Sequence, residues 1–278
     1  MRPVSLPAIG VAAVLLLGVM GGSASADASA AVTHTSDAVI RVTDQEAPTV
    51  PAAGPVTTSA FTPTACPVAL AIPGATEGQG YACGLVTVPQ RHSDPTGTQI
   101  QIATVRILSS ADAVEADPVV FAQGGSRGSG LDLVTAAPLL TKAFADRDLI
   151  LFDQRGAGHS VPVLHCDEHD PVALAELTGQ TGPADGLSAD VAAYQACAAR
   201  FAAAGYDLTA FDTLESAADV RDVVTALGYT DYDFYGVSEG TRVGQALLRD
   251  VPTGLRSVVL DSVEPTAVNT KPQRALTT

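Results

Sequence analysis

The chain has 278 residues, 46% hydrophobic and 16% charged, a composition that supports a sizeable buried core and excludes wholesale disorder. Its formal net charge of −15 argues against nucleic acid or an anionic membrane surface as the partner. The length admits one large domain or two small ones.

Residues 1–26 read as a secretory signal. Arg2 stands in a short n-region, Ile9 to Met20 is apolar, and Ala24-Ser25-Ala26 is a small-residue cleavage site, with Ala28-Ser29-Ala30 as a second candidate. The apolar run is too short to span a bilayer comfortably. A secreted, extracytoplasmic protein with no stable membrane insertion after cleavage is expected. Residues 27–64 are rich in Ala, Thr, Ser, Val and Pro without a period and read as a flexible exported arm. Residues 65–278 then form the folded domain.

Tyr81 to Pro89 and Thr98 to Leu108 alternate and are β-branched, which predicts a hairpin whose turn is Asp94-Pro95-Thr96-Gly97. An α/β alternation follows. Strands are predicted at Pro118 to Ala122, Asp148 to Phe152, Tyr232 to Tyr235 and Ser257 to Leu260. Helices are predicted at Leu131 to Ala145, at Glu215 to Leu227 and at Thr241 to Asp250. An Ala-rich insert over 161–211 is helical around 187–204. This order predicts an α/β fold with a mostly parallel sheet and helices on both faces. The four cysteines, Cys66, Cys83, Cys166 and Cys197, predict two disulfides in an exported chain. Sequence allows three pairings, and the local one, Cys66–Cys83 with Cys166–Cys197, closes the shortest loops. No C-x-x-C spacing supports a zinc ribbon or a thiol redox role.

Gly236-Val237-Ser238-Glu239-Gly240 matches G-x-S-x-G between a predicted strand and a predicted helix. A turn that tight strains its central residue and lifts the serine hydroxyl above the sheet edge, at a helix N-terminus that favours developing negative charge. Ser238 is therefore the candidate nucleophile, and the Glu239 N–H one oxyanion donor. The Gly-rich run 123–130 follows the first strand of the alternation, which makes the Gly125 N–H the second donor. It lacks the Gly-Lys-Ser/Thr of a phosphate loop. Asp153 and Arg155, after the 148–152 strand, are expected to brace the surrounding loops by ion pairing. His165-Cys166-Asp167-Glu168-His169 fits H-x-x-E-H, but Pro162 and Pro171 leave little room for the helix a zinc site needs, and a solvated loop is expected. No metal and no cofactor are implied.

The segments DLILFDQRGAGHS, YGVSEGTRVGQALLRD and RSVVLDSVEP together resemble the secreted α/β-hydrolase peptidases, the bacterial tripeptidyl aminopeptidases and their proline iminopeptidase relatives, over about residues 60–265. The resemblance implies an α/β-hydrolase fold, Ser238 as acylated nucleophile, the Gly125 and Glu239 amides as oxyanion hole, and the local disulfide pairing. The implied substrates are short peptides with free N-termini, or related amides and esters. Two departures stand out. Ser126 and Arg127 replace a Pro and a Gly of the family's loop, and Glu239 replaces a residue that is commonly aromatic, where its charge disfavours an oxyanion or attracts a substrate amine. The triad order Ser, Asp/Glu, His demands a histidine after Ser238, and none occurs up to Thr278. The expectation is a fragment lacking the acid, the base, the C-terminal strands and the cap, inactive by itself. His159 with Asp261 is the only internal substitute. A non-catalytic hydrolase-fold binding protein and an esterase or lipase are the alternative functions.

Overall fold

The structure is a computed structural model that describes residues 59–70, 72–112, 114–125, 128–132, 137–180 and 182–266. The expected signal segment 1–26 and the expected arm up to residue 58 lie outside the described residues. The arm ends earlier than expected. Phe61–Thr64 is strand β1, paired antiparallel with β3 (Gly80–Pro89) in the register Phe61↔Val86 to Thr64↔Cys83. Phe61 packs against the apolar core, a contact that pulls a Thr- and Pro-rich stretch into the sheet.

The strands continue with β2 (Thr76–Glu77), β4 (Gln99–Ile107), β5 (Val119–Ala122), β6 (Leu149–Phe152), β7 (Tyr232–Val237) and β8 (Leu255–Asp261). The helices are α1 (Ala137–Ala143), α2 (Asp170–Leu177), α3 (Pro183–Ala203), α4 (Thr213–Ala226) and α5 (Gly240–Asp250). The sheet runs β1-β3-β4-β6-β5-β7-β8, with β2 beside β3. β6, β5, β7 and β8 are parallel, whereas β3–β4 and β4–β6 are antiparallel. The sheet is therefore mixed, parallel through the α/β alternation as expected and antiparallel at the hairpin end. The β3–β4 hairpin turns at Asp94–Gly97, where the Gly97 N–H donates to the Asp94 carbonyl at 3.1 Å.

β5 and β6 are short apolar runs buried at every position, the signature of strands covered on both faces. One face packs Val86, Ile102, Val120, Ile150 and Phe234 under Val220 and Val223 of α4 and Val243 and Leu247 of α5. The other packs Val105, Phe121, Leu149 and Leu151 under Leu131, Leu140 and Phe144 and the segment from Cys66 to Ile72. The loops after β5 and β7 leave the sheet at adjacent carboxyl ends, where a crevice opens between connections that diverge.

The insert holds more helix than its sequence pattern predicts. α2 is added and α3 begins at Pro183. α2 buries no residue and leaves Leu177 87% exposed, so no apolar stripe announces it. Polar and covalent ties hold the insert instead. Cys166 and Cys197 are bonded at 2.05 Å, and Cys66 and Cys83 at 1.97 Å. Arg200 of α3 donates to both Glu168 carboxylate oxygens, at 2.7 and 3.0 Å, and to the His165 carbonyl.

A charge cluster locks the end of β3 to α4. His92 Nδ1 lies 2.5 Å from Glu215, and its Nε2 lies 3.1 Å from Asp222 and 3.8 Å from Asp219. Burial works to lower the His92 pKa, but Asp222, Glu215 and Asp219 overcome it and hold the imidazolium up to about 9. Because this value lies above that of an unfolded histidine, the contribution to stability is complete below pH 6.5 and is lost as the pH rises through about 9. Urea midpoints are expected to fall from pH 7 to pH 9.5 in the wild type and to fall less in His92→Gln. Parallel profiles for the two would refute the assignment.

Candidate active site

Ser238 is exposed at the reversal from β7 into α5, with φ of 52°, in the left-handed region that costs a non-glycine residue about 1–3 kcal/mol. Its neighbours hold it there. The Ser238 N–H donates to the Asp261 carbonyl of β8 at 2.9 Å. The Ser238 carbonyl accepts from the Thr241 N–H at 2.9 Å and from Thr241 Oγ1 at 2.5 Å. Space dictates the glycines of the motif. A Cβ on Gly236 would sit 2.5 Å from the Gly240 carbonyl oxygen, and one on Gly240 would sit 2.3 Å from that of Ala122.

The loop after β5 runs directly against Ser238. A Cβ on Gly124 would meet Ser238 Cβ at 2.6 Å and Ser238 Oγ at 3.4 Å. Gly125 has φ of 87°, and the Gly128 N–H closes a tight turn onto its carbonyl at 3.0 Å. Among the described residues, no acceptor is paired with the N–H of Gly125 or of Glu239. Ser126 and Arg127 lie outside the described residues.

Asp153 and Arg155 brace these loops, Arg155 through an ion pair and Asp153 through neutral donors. The fully buried Asp153 carboxylate accepts from Ser129 Oγ at 2.8 Å, the Leu131 N–H at 3.1 Å and the His159 N–H at 2.7 Å. It thereby joins the Gly-rich loop to the 156–160 turn. Burial pushes its pKa up against these bonds. The ion pair of Arg155 is with Asp219, a residue the sequence did not single out, at 2.7 and 2.6 Å in a bidentate fork. Its remaining donors go to the carbonyls of Gln90, Ala210 and Pro89. Burial pushes Asp219 up to about 6, opposed by Arg155 and His92.

A cavity of about 130 Å³ opens next to the elbow, lined by Gly125, Gly128, Arg155, Phe211, Asp212 and Glu239 among others. No histidine reaches Ser238 among the described residues. His159 pairs with Asp132 at 3.2 Å, and Asp261 accepts from the Tyr235 hydroxyl at 2.9 Å, so the internal substitute triad does not assemble. The H-x-x-E-H residues also separate. His165 bonds Asp170 at 3.1 Å, His169 bonds Asp190 at 2.8 Å, and Glu168 is taken by Arg200.

The fold and this strand–serine–helix elbow define a class. The sequence model of the alpha/beta hydrolase fold family matches residues 117–277, and the chain belongs to that family. Tripeptidyl aminopeptidase of Streptomyces coelicolor is 30% identical over 191 residues, covering 65% of this chain and 35% of that protein. Serine protease Hip1 of Mycobacterium tuberculosis is 28% identical over 205 residues, covering 68% of this chain and 37% of that protein. Carboxylesterase B of the same organism is 37% identical over 87 residues, covering 30% of this chain and 16% of that protein. The chain thus spans about a third of the length of the aminopeptidase and protease relatives.

The elbow carries opposite stability effects at neighbouring positions. Gly240→Ala is expected to lower the unfolding free energy by about 1–3 kcal/mol, because its methyl group meets the Ala122 carbonyl. Ser238→Gly is expected to raise it by about 1 kcal/mol, the relieved strain outweighing the added flexibility of the unfolded chain. Urea unfolding measures both, and a destabilised Ser238→Gly would show that the elbow is unstrained.

Proposed function

We propose that the protein is an exported serine hydrolase acting on short peptides, or on small related amides and esters, by an acyl-enzyme mechanism, with aminopeptidase activity the best-supported reaction. The observation that carries this reading is the exposed Ser238 at φ 52°, with the Gly125 and Glu239 amides nearby that have no partner among the described residues. The aminopeptidase and protease names of the relatives favour a peptidase.

In this mechanism Ser238 Oγ attacks the substrate carbonyl, and its proton passes to a base. The tetrahedral oxyanion is held by the N–H groups of Gly125 and Glu239 at the start of α5, where the helix dipole adds to the stabilisation. Collapse expels the amine or alcohol and leaves an ester on Ser238, which water hydrolyses. Residues 59–266 supply the nucleophile and the oxyanion donors. The base and its acid partner come from outside the described residues, so this segment alone turns substrate over slowly. Two disulfides and a leader cleaved after Ala26 fit an extracytoplasmic site of action. The carboxylesterase relative supports an esterase as the second reading.

The protein recovered from the medium of its producing cells is expected to begin at Asp27 and to gain one fluorophosphonate adduct, on Ser238. Ser238→Ala abolishes the adduct. An unlabelled wild type would instead favour a binding protein that keeps the hydrolase fold. Faster turnover of aminoacyl amides than of acyl esters separates the peptidase from the esterase reading.

A further inference from the structure

Both backbone polar groups of Ser238 are held by neighbouring elements. Its N–H donates to the Asp261 carbonyl of β8, and its carbonyl accepts twice from Thr241, from the N–H at 2.9 Å and from Oγ1 at 2.5 Å. The N–H bond is the ordinary closure of a first helical turn. The hydroxyl bond is an addition that the start of a helix does not require. Thr241 is fully buried, so water does not compete for its hydroxyl. The other side of the hydroxyl is also engaged, since Oγ1 accepts from the Glu264 N–H at 2.9 Å. An amide N–H only donates and a carbonyl only accepts, so the hydroxyl proton is committed to Ser238.

The Ser238 carbonyl is one end of a planar trans unit whose other end is the Glu239 N–H. In such a unit the C=O and the N–H point in opposite directions, so whatever holds the carbonyl also sets the direction of the amide. Thr241 draws the carbonyl into the first turn of α5, and the Glu239 N–H therefore points away from that turn. A strained residue relaxes by rotating its flanking peptides, and the two bonds from Thr241 oppose that rotation on the Glu239 side. The loop after β8 takes part as well. Gln245 of α5 donates to the Glu264 carbonyl at 2.9 Å and accepts from the Thr266 N–H at 3.4 Å, so the amide that pins the hydroxyl is itself anchored.

We propose that Thr241 is a positioning residue whose hydroxyl fixes the plane of the Ser238–Glu239 peptide and so aims the Glu239 N–H at the oxyanion. The inference rests on the hydrolase reading of Ser238 and adds the residue through which α5 and the loop after β8 keep the donor in line. Thr241 acts through the Ser238 carbonyl and not on the substrate. Its effect falls on the transition state, because a hydrogen bond to the oxyanion gains strength only as the charge develops. A misaligned donor forfeits part of what a deleted donor forfeits, which sets the expected slowing at about tenfold.

Time courses of fluorophosphonate labelling of Ser238 in the full protein, taken over a range of probe concentrations, separate the maximal rate constant from the half-saturating concentration. Thr241→Val keeps the shape of the side chain and removes the hydroxyl, whereas Thr241→Ser keeps the hydroxyl and removes the methyl group. The valine variant is expected to label about tenfold more slowly at saturation. Its half-saturating concentration is expected to stay within about twofold of the wild type. The serine variant is expected to retain most of the wild-type rate. Thermal melts of the same samples report folding, and should the valine variant not fold, Thr241→Ala beside Thr241→Ser makes the same comparison. A packing role alone predicts the reverse order, with serine slow and valine fast. A valine variant at the wild-type rate, a serine variant as slow as the valine one, or an effect confined to the half-saturating concentration overturns the positioning role. The wild type keeps the two levels apart. Labelled wild type with an indifferent Thr241→Val refutes this inference alone, whereas unlabelled wild type refutes the hydrolase reading and the positioning role with it.

Discussion

Adjacent parallel strands lie under 5 Å apart, so whatever follows their carboxyl ends competes for the same space. β5 and β7 resolve that competition with glycine. Gly240 lies against the Ala122 carbonyl, Gly236 against the Gly240 carbonyl and Gly124 against Ser238 itself. Any side chain at these positions would separate the two loops. With none there, the Gly-rich loop rests on Ser238, and Gly125 and Glu239 line one cavity. Bonds from β8 and α5 fix the strained Ser238 backbone, so the geometry draws on three elements at once.

Around this contact the loops are held by two buried charges treated differently. Asp153 is satisfied by neutral donors from two loops and ties them together. Arg155 reaches away from the crevice into a network with Asp219, Glu215 and His92, which anchors the post-β6 loop to α4 and to the end of β3. Arg155 lines the cavity next to the elbow, yet its guanidinium is consumed by the fold, so it serves there as mechanical support.

The insert between β6 and α4 follows another logic. α2 contributes nothing to the core, and its position depends on the Cys166–Cys197 bond, the Arg200–Glu168 pair and the His169–Asp190 bond. A covalent and polar frame does there what burial does in the sheet. It also absorbs the H-x-x-E-H residues into three separate structural pairs.

The local patterns were legible because they are local. Fully apolar β5 and β6, the alternating hairpin, the Asp212 cap of α4 and the G-x-S-x-G reversal are each dictated by a few neighbouring residues, and together they identify the class of fold and the position of the serine elbow. What escaped the sequence depends on separation along the chain. Phe61 enters the sheet only because β3 offers it an edge, and α2 has no apolar period to read. The mixed sheet arises because the β3–β4 hairpin joins the parallel strands through β6. Arg155 meets Asp219, and His92 finds three carboxylates more than a hundred residues away, because packing α4 against the sheet brings them together. Five consecutive residues dictate the strained reversal at Ser238, since a turn of this kind is a local property of the chain. Tertiary structure alone decided which charges surround it, since electrostatic partners are chosen by distance in space.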